Sequence, residues 1–142
     1  MFNQLSDNIQ KLIDEIEPLI VTKMKQSEAE IIDMNVEQLA IGKNSLDENM
    51  PDYKLDWYAQ YKEALGSKSD GRYDLNLEGD YIGAMYAEAF PDGLGIDTKD
   101  SKRDKFDYLN PFGLNEKNKE ILANELTEPL QTDIEEIFLT GF

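Results

Sequence analysis

Leu5, Ile9, Leu12, Ile13, Ile16 and Ile20 recur at steps of three and four, which places them on one face of a helix over residues 5–24. Asp14, Glu15, Glu17 and Lys23 supply its solvated side. Ser6 or Asp7 is the expected cap, and Pro18 predicts a kink or a division. At Ile31 the period changes. Ile32, Met34 and Val36 alternate with Asp33, Asn35 and Glu37, which predicts a short half-buried strand or extended segment. A polar loop, GKNSLDENMPD, follows over residues 42–52.

Residues 53–65, YKLDWYAQYKEAL, return to helical spacing. Tyr53, Trp57 and Tyr61 form an aromatic stripe there, with Tyr58 beside it. Such a stripe is a core face or a subunit seam before it is a cofactor box. After the loop GSKSDGR, Tyr73, Leu75 and Leu77 alternate with Asp74, Asn76 and Glu78. This predicts a strand with an acidic outer face, ended by Gly79, so Asp74→Asn is expected to matter little. MYAEAF and LGIDT flank PDG (Pro91 to Gly93), which predicts a hairpin over residues 85–98. A charge-rich connection over residues 97–104 opens a short helix reaching Phe106 and Leu109.

Pro111 and Gly113 punctuate a turn, and Asn115 is placed to cap the next helix. Ile121, Leu122, Leu126, Leu130, Ile134, Ile137 and Phe138 line that helix, with a bend expected at Pro129. The order predicts an α+β fold, with long N-terminal and C-terminal helices covering a small antiparallel β-sheet that contains the hairpin. One domain spans residues 1–142: an N-terminal helix (1–30), a β-containing middle (31–114) and a C-terminal helix (115–142).

Composition narrows the chemistry. With 40% apolar residues the chain can bury a core despite 31% charged residues. Its formal charge is −16, from 30 Asp plus Glu against 14 Lys plus Arg. Such a surface repels nucleic acid, whose affinity for proteins comes from cationic side chains neutralising phosphates. It also suits an anionic membrane poorly. A basic partner, bound cations, or a channel past which DNA slides without sticking fits better, and solubility is the simplest reading. The chain has no Cys, which removes thiolate catalysis, zinc–sulfur sites and disulfides. It also has no His, the usual general base. MFNQLSDNIQ has neither a basic start nor an apolar run, so no signal peptide is expected.

Two acidic groups invite a metal reading. Asp74, Asn76, Glu78 and Gly79 open like an EF-hand loop, but the twelfth position is Met85 where that loop needs a bidentate Glu. Asp97, Asp100, Asp104 and Asp107 are interleaved with Lys99, Lys102, Arg103 and Lys105, which favours local ion pairs. No metal, cofactor or catalytic residue is therefore assigned, and no enzyme is expected.

The order EQLAIG (37–42), MPDYKLDWYAQYKEALGS, DLNLEGDYIGAM, PDGLGI and NPFGLNEKNKEIL resembles the small neck and tail-completion proteins of tailed bacteriophages. The likeness covers roughly residues 37–138. It departs at Glu78, where the family carries threonine, and at Asp80, where basic residues often follow the glycine. The resemblance implies a non-enzymatic virion protein, assembled in the host cytoplasm and sited at the head–tail junction. It implies a homo-oligomeric ring, usually a hexamer, touching portal or adaptor and tail-tube proteins, with DNA passing through unbound and no membrane contact. Trp57, Tyr58, Tyr61, Met85, Tyr86, Phe90 and Leu94 are the expected subunit contacts, since large aromatics are enriched in interfaces. Gly79, Pro91, Gly93, Pro111 and Gly113 are the expected structural turns. Two alternatives stand beside it: an acidic monomeric adaptor or inhibitor of a basic protein, and a carboxylate-based metal enzyme.

Overall fold

The period-3.6 stripe at the start of the chain and its counterpart at the end both become long helices. A computed structural model describes residues 2–76, 79–90 and 93–141. The elements are α1 (Phe2–Gln26), α2 (Glu28–Ala40), α3 (Asp56–Ala64), α4 (Asp80–Gly83), β1 (Met85–Phe90), β2 (Gly93–Thr98), α5 (Arg103–Phe106) and α6 (Glu116–Gly141). A 3₁₀ turn, Asp107–Leu109, follows α5. The architecture is α+β, with long terminal helices and, among the described residues, one two-stranded antiparallel sheet. Ser6 and Asp7 lie inside α1, and the helix is not divided at Pro18. Pro129 likewise lies inside α6. Asn115 caps α6 as its sequence position predicts, its Oδ1 accepting from Asn118 N at 2.9 Å.

The alternation at residues 31–37 does not make a strand. Ile31, Asn35, Gln38 and Leu39 are the buried positions, spaced four, three and one apart, which is the inner face of α2. Two of these four are amides, so the apolar letters alone showed a false period of two. Each amide is spent on the backbone of the turn before α6. Asn35 Nδ2 donates to Pro111 O (2.8 Å), and Asn35 Oδ1 accepts from Gly113 N (2.9 Å). Gln38 Nε2 donates to Gly113 O (2.9 Å), while its Oε1 accepts from Asn115 N (2.9 Å) and Asn118 Nδ2 (2.6 Å). Two side chains thus pair with an irregular segment much as a neighbouring strand would, satisfying buried backbone groups that cannot reach water.

β1 and β2 form the expected hairpin, in register from Met85↔Thr98 to Phe90↔Gly93. Pro91 and Asp92 lie outside the described residues. Along β1 the buried side is Met85, Ala87 and Ala89. Its alanines leave room for α2, which packs against this strand. α2 joins two apolar clusters. Leu39 belongs to the one holding Tyr81, Met85 and Phe106, and Ile31 to the one holding Ala87, Leu114 and Leu122. Gly42 ends this region at φ +75°, where a Cβ would lie 2.8 Å from Arg72 Nε and 2.9 Å from Ser69 O. Both the angle and the space demand glycine there.

Replacing Asn35 with Leu keeps the branched heavy-atom shape but strands Pro111 O and Gly113 N without the Asn35 partner. Urea denaturation should show a loss of about 2–3 kcal/mol, and near-neutral behaviour would refute the clasp. Glu30, exposed on α2, has its pKa raised, first by a hydrogen bond with Glu125 of α6 that requires a protonated carboxyl, then by slight desolvation and the Glu125 charge. A raised carboxyl pKa means the folded state binds this proton more tightly. The penalty is therefore absent below the ordinary carboxyl value of 4.5, grows as pH rises, and is complete above the folded value. Glu125→Gln should raise the melting midpoint at pH 7 and not at pH 3.

Candidate functional site

Residues 73–76 do not form the expected strand. Leu75 has φ +57°, a left-handed conformation that no strand continues through. The kink lets neighbours that a pleated strand would send to opposite faces both point inward. Asp74 is 5% exposed and Leu75 2%. Leu77 and Glu78, the remainder of that alternation, lie outside the described residues. Gly79 turns the chain at φ +85°, as its position predicts. A Cβ would meet nothing within 4 Å there, so the angle alone selects glycine.

The inward turn builds a polar centre beneath α3. Lys62, 8% exposed, places Nζ 3.1 Å from Asp74 Oδ1 and donates to Asn76 O at 2.8 Å. Asp74 Oδ1 also accepts from Tyr53 OH (3.1 Å) and from Asn76 N (3.0 Å), an Asx turn. Its Oδ2 accepts from Ser67 Oγ (3.1 Å). Burial, followed by the Asp74 charge, pushes the Tyr53 phenol far above its ordinary value, so it remains the donor. Every polar atom of the pair is thus engaged in tying α3 to the 67–76 segment. Lys62 Nζ uses two of its three donors and Asp74 accepts four contacts, so the centre fastens α3 to the chain that follows it.

A cleft of about 700 Å³ opens beside this centre, bordered by Val36, Tyr58, Tyr61, Lys62, Asp74 and Ile82 among others. A second, of about 500 Å³, lies between Tyr53, Tyr58, Tyr73 and Phe106 with Lys102 and Lys105 at its rim. The acidic group after β2 forms ion pairs as its interleaved charges predict. Arg103 Nε meets Asp97 Oδ1 at 2.6 Å, Arg103 Nη1 meets Asp104 Oδ1 at 3.1 Å, and Lys102 Nζ lies 3.7 Å from Asp100 Oδ1. The hydrogen bond from Arg103 holds the Asp97 carboxyl below the usual range. Among the described residues no group of three or more Asp or Glu is placed to hold a metal ion.

The expected contact residues separate by exposure. Trp57 and Tyr61 stand outward on α3, 65% and 54% exposed, beside Leu55 and Leu65, which are also exposed. Phe90 is exposed at the end of β1. Tyr58 is half-buried, edge-on to Tyr53 with centroids 4.9 Å apart. Tyr86, under Lys99 Nζ at 5.5 Å, and Leu94 are also half-buried. Met85 is a correction: it points to the buried side of β1 and belongs to the core, so it offers no contact surface. Pro111 is fully buried, and Gly113 sits at φ +135° with a Cβ position 3.0 Å from Ser45 Cβ, so both are structural. Gly93 is exposed at the start of β2.

The Lys62–Asp74 centre was missed because each half looked ordinary. Lys62 reads as a solvated charge on a helix, and Asp74 as one tooth of an acidic alternation. The available signal was the four-residue step from Tyr58 to Lys62, which puts this lysine on the inner face opposite Trp57 and Tyr61. Asp74→Asn keeps the shape and the turn but removes the counter-ion of a buried ammonium. Chemical denaturation should show a loss of roughly 3 kcal/mol, in contrast to the small effect expected of an outer-face residue. Adding Lys62→Met should recover part of it, and a loss below about 0.5 kcal/mol for Asp74→Asn alone would return Asp74 to the surface.

No family model, no curated protein and no solved structure matches this chain.

Proposed function

We propose that this protein is a structural subunit of a tailed bacteriophage, forming an oligomeric ring in the head–tail connector that joins portal or adaptor to tail. Its work is packing, without a catalytic step. The observation that carries self-association is the apolar surface left on the helices: Leu5, Ile9 and Ile13 of α1, with Trp57 and Tyr61 of α3, are each about half exposed or more. Groups of large apolar side chains left exposed mark contact sites. The placement in a phage particle rests on the motif order from EQLAIG to NPFGLNEKNKEIL. The −16 charge supports a ring whose lumen passes DNA without holding it.

The same charge favours a second reading, an acidic monomeric adaptor bound to a basic protein. That partner's affinity would fall steeply with salt, whereas a contact made by apolar side chains would not. Mass spectrometry of purified particles should find the protein at a low, fixed copy number, sixfold if the ring is a hexamer. Its absence from particles would end the connector reading.

A further inference from the structure

α1 is a helix of 25 residues with an apolar stripe, yet none of residues 3–26 is buried. Long helices in proteins owe their stability to tertiary packing of that stripe more than to propensity. The stripe here is divided lengthwise. Leu12, Ile16 and Leu19 on one edge are half-buried, while Leu5, Ile9, Ile13 and Ile20 on the other are exposed. The exposed four follow steps of four, four and seven, a continuous row over more than four turns. α6 runs beside α1, joined through Lys23 Nζ and Asp133 Oδ2 at 3.3 Å, and its packing does not cover this row.

Charge identifies what covers it. Lys11, Lys23 and Lys25 against Asp7, Asp14, Glu15 and Glu17 leave α1 at −1, so −15 of the total −16 lies on the rest of the chain. Helical geometry puts Asp7, Lys11 and Asp14 on the far side of the exposed row and leaves Glu17 at its margin, with Lys23, paired to Asp133, in line with the row beyond Ile20. A second copy approaching with almost any other surface brings repulsion, while the same row brings little. A membrane-surface helix would carry Lys and Arg on its polar face, and this one carries mostly carboxylates.

We infer that the exposed row of α1 packs against the same row of a second copy of this chain, completing a four-helix arrangement from two α1/α6 pairs. The inference rests on the self-association proposed above and names its contact. Row against row is a self-complementary two-fold contact, so by itself it yields a dimer, and the seams of a ring with distinct portal and tail faces require a separate, heterologous contact, for which the Trp57 and Tyr61 patch is exposed. From Leu5 to Ile20 the row is about 23 Å long, and at ~10 Å wide its footprint is roughly 230 Å² per copy. That is under a third of the ~800 Å² share of a standard interface, so pairing is weak and depends on concentration.

Sedimentation equilibrium over a wide concentration range should show wild-type protein moving from 16.3 kDa toward twice that mass. Ile9→Glu combined with Ile13→Glu sets like charges face to face and should weaken pairing more than about 100-fold. Both positions are exposed, so circular dichroism should show the fold retained. The chain has no native cysteine, which makes single thiols informative. Ile13→Cys, at the middle of the row, should form a disulfide-linked dimer on mild oxidation, and Asp14→Cys on the far side should not. A wild-type protein that stays monomeric throughout, unchanged pairing in the double Glu variant, or equal cross-linking of both thiols would overturn the inference. So would a monomer that co-sediments with phosphatidylcholine–phosphatidylserine vesicles through Ile9 and Ile13. Row-dependent pairing of a protein absent from particles would instead refute the connector reading and leave this contact standing.

Discussion

The fold depends on two buried amides that let an irregular turn sit against a helix. Asn35 and Gln38 accept and donate along the backbone from Pro111 to Asn115, so the entry to α6 is held directly on α2. Backbone groups removed from water must find partners, and this turn has neither helix nor sheet to supply them. The amides fill that need, with Leu114 buried between the ends of the clasp and Ile31 of α2 in the same apolar cluster. α6 begins where Asn115 caps it, so the starting point of the long C-terminal helix is fixed by residues some 75 positions earlier in the chain.

A second polar tie of the same logic holds the opposite side. Lys62 and Asp74 are buried and pair with one another together with Tyr53, Ser67 and Asn76. A buried ion pair is a costly way to join two segments, and its usual return is specificity of arrangement more than stability. Here it orients α3 so that Tyr58 turns inward and Trp57 and Tyr61 turn outward. The exposed aromatic patch is thus a consequence of which face the lysine takes. The body of the protein is locked by these two polar ties and two apolar clusters, whereas α1 has no buried residue of its own among residues 3–26.

Much of the fold was legible from pattern. The long terminal helices follow from periodicity over many turns, and the hairpin from alternation on either side of Pro and Gly. The Asn115 cap and the ion pairs after β2 follow from local chemistry. Reading failed where polar residues were buried. Asn35 and Gln38 on the inner face of α2 left only the alternating apolar letters visible, so a helix read as a strand. At Asp74 the regular alternation was real but the backbone did not follow it, because Leu75 adopts a left-handed conformation. In each case a polar side chain counted as solvent-facing had a partner distant in sequence.

The sequence by itself therefore determined the long terminal helices, the hairpin and the Asn115 cap, since these depend on neighbours within a few residues. It also determined the charge, and with it the absence of histidine and cysteine chemistry. Tertiary structure alone decided which polar groups are buried and which apolar ones remain outside. Asp74 is inside because a lysine twelve positions away needs a counter-ion there, and Met85 is inside because β1 turns that face to the core. Leu5, Ile9 and Ile13 are outside because, among the described residues, no other element packs over that edge of α1. Burial is a property of what packs against a residue, and that is set by contacts far along the chain.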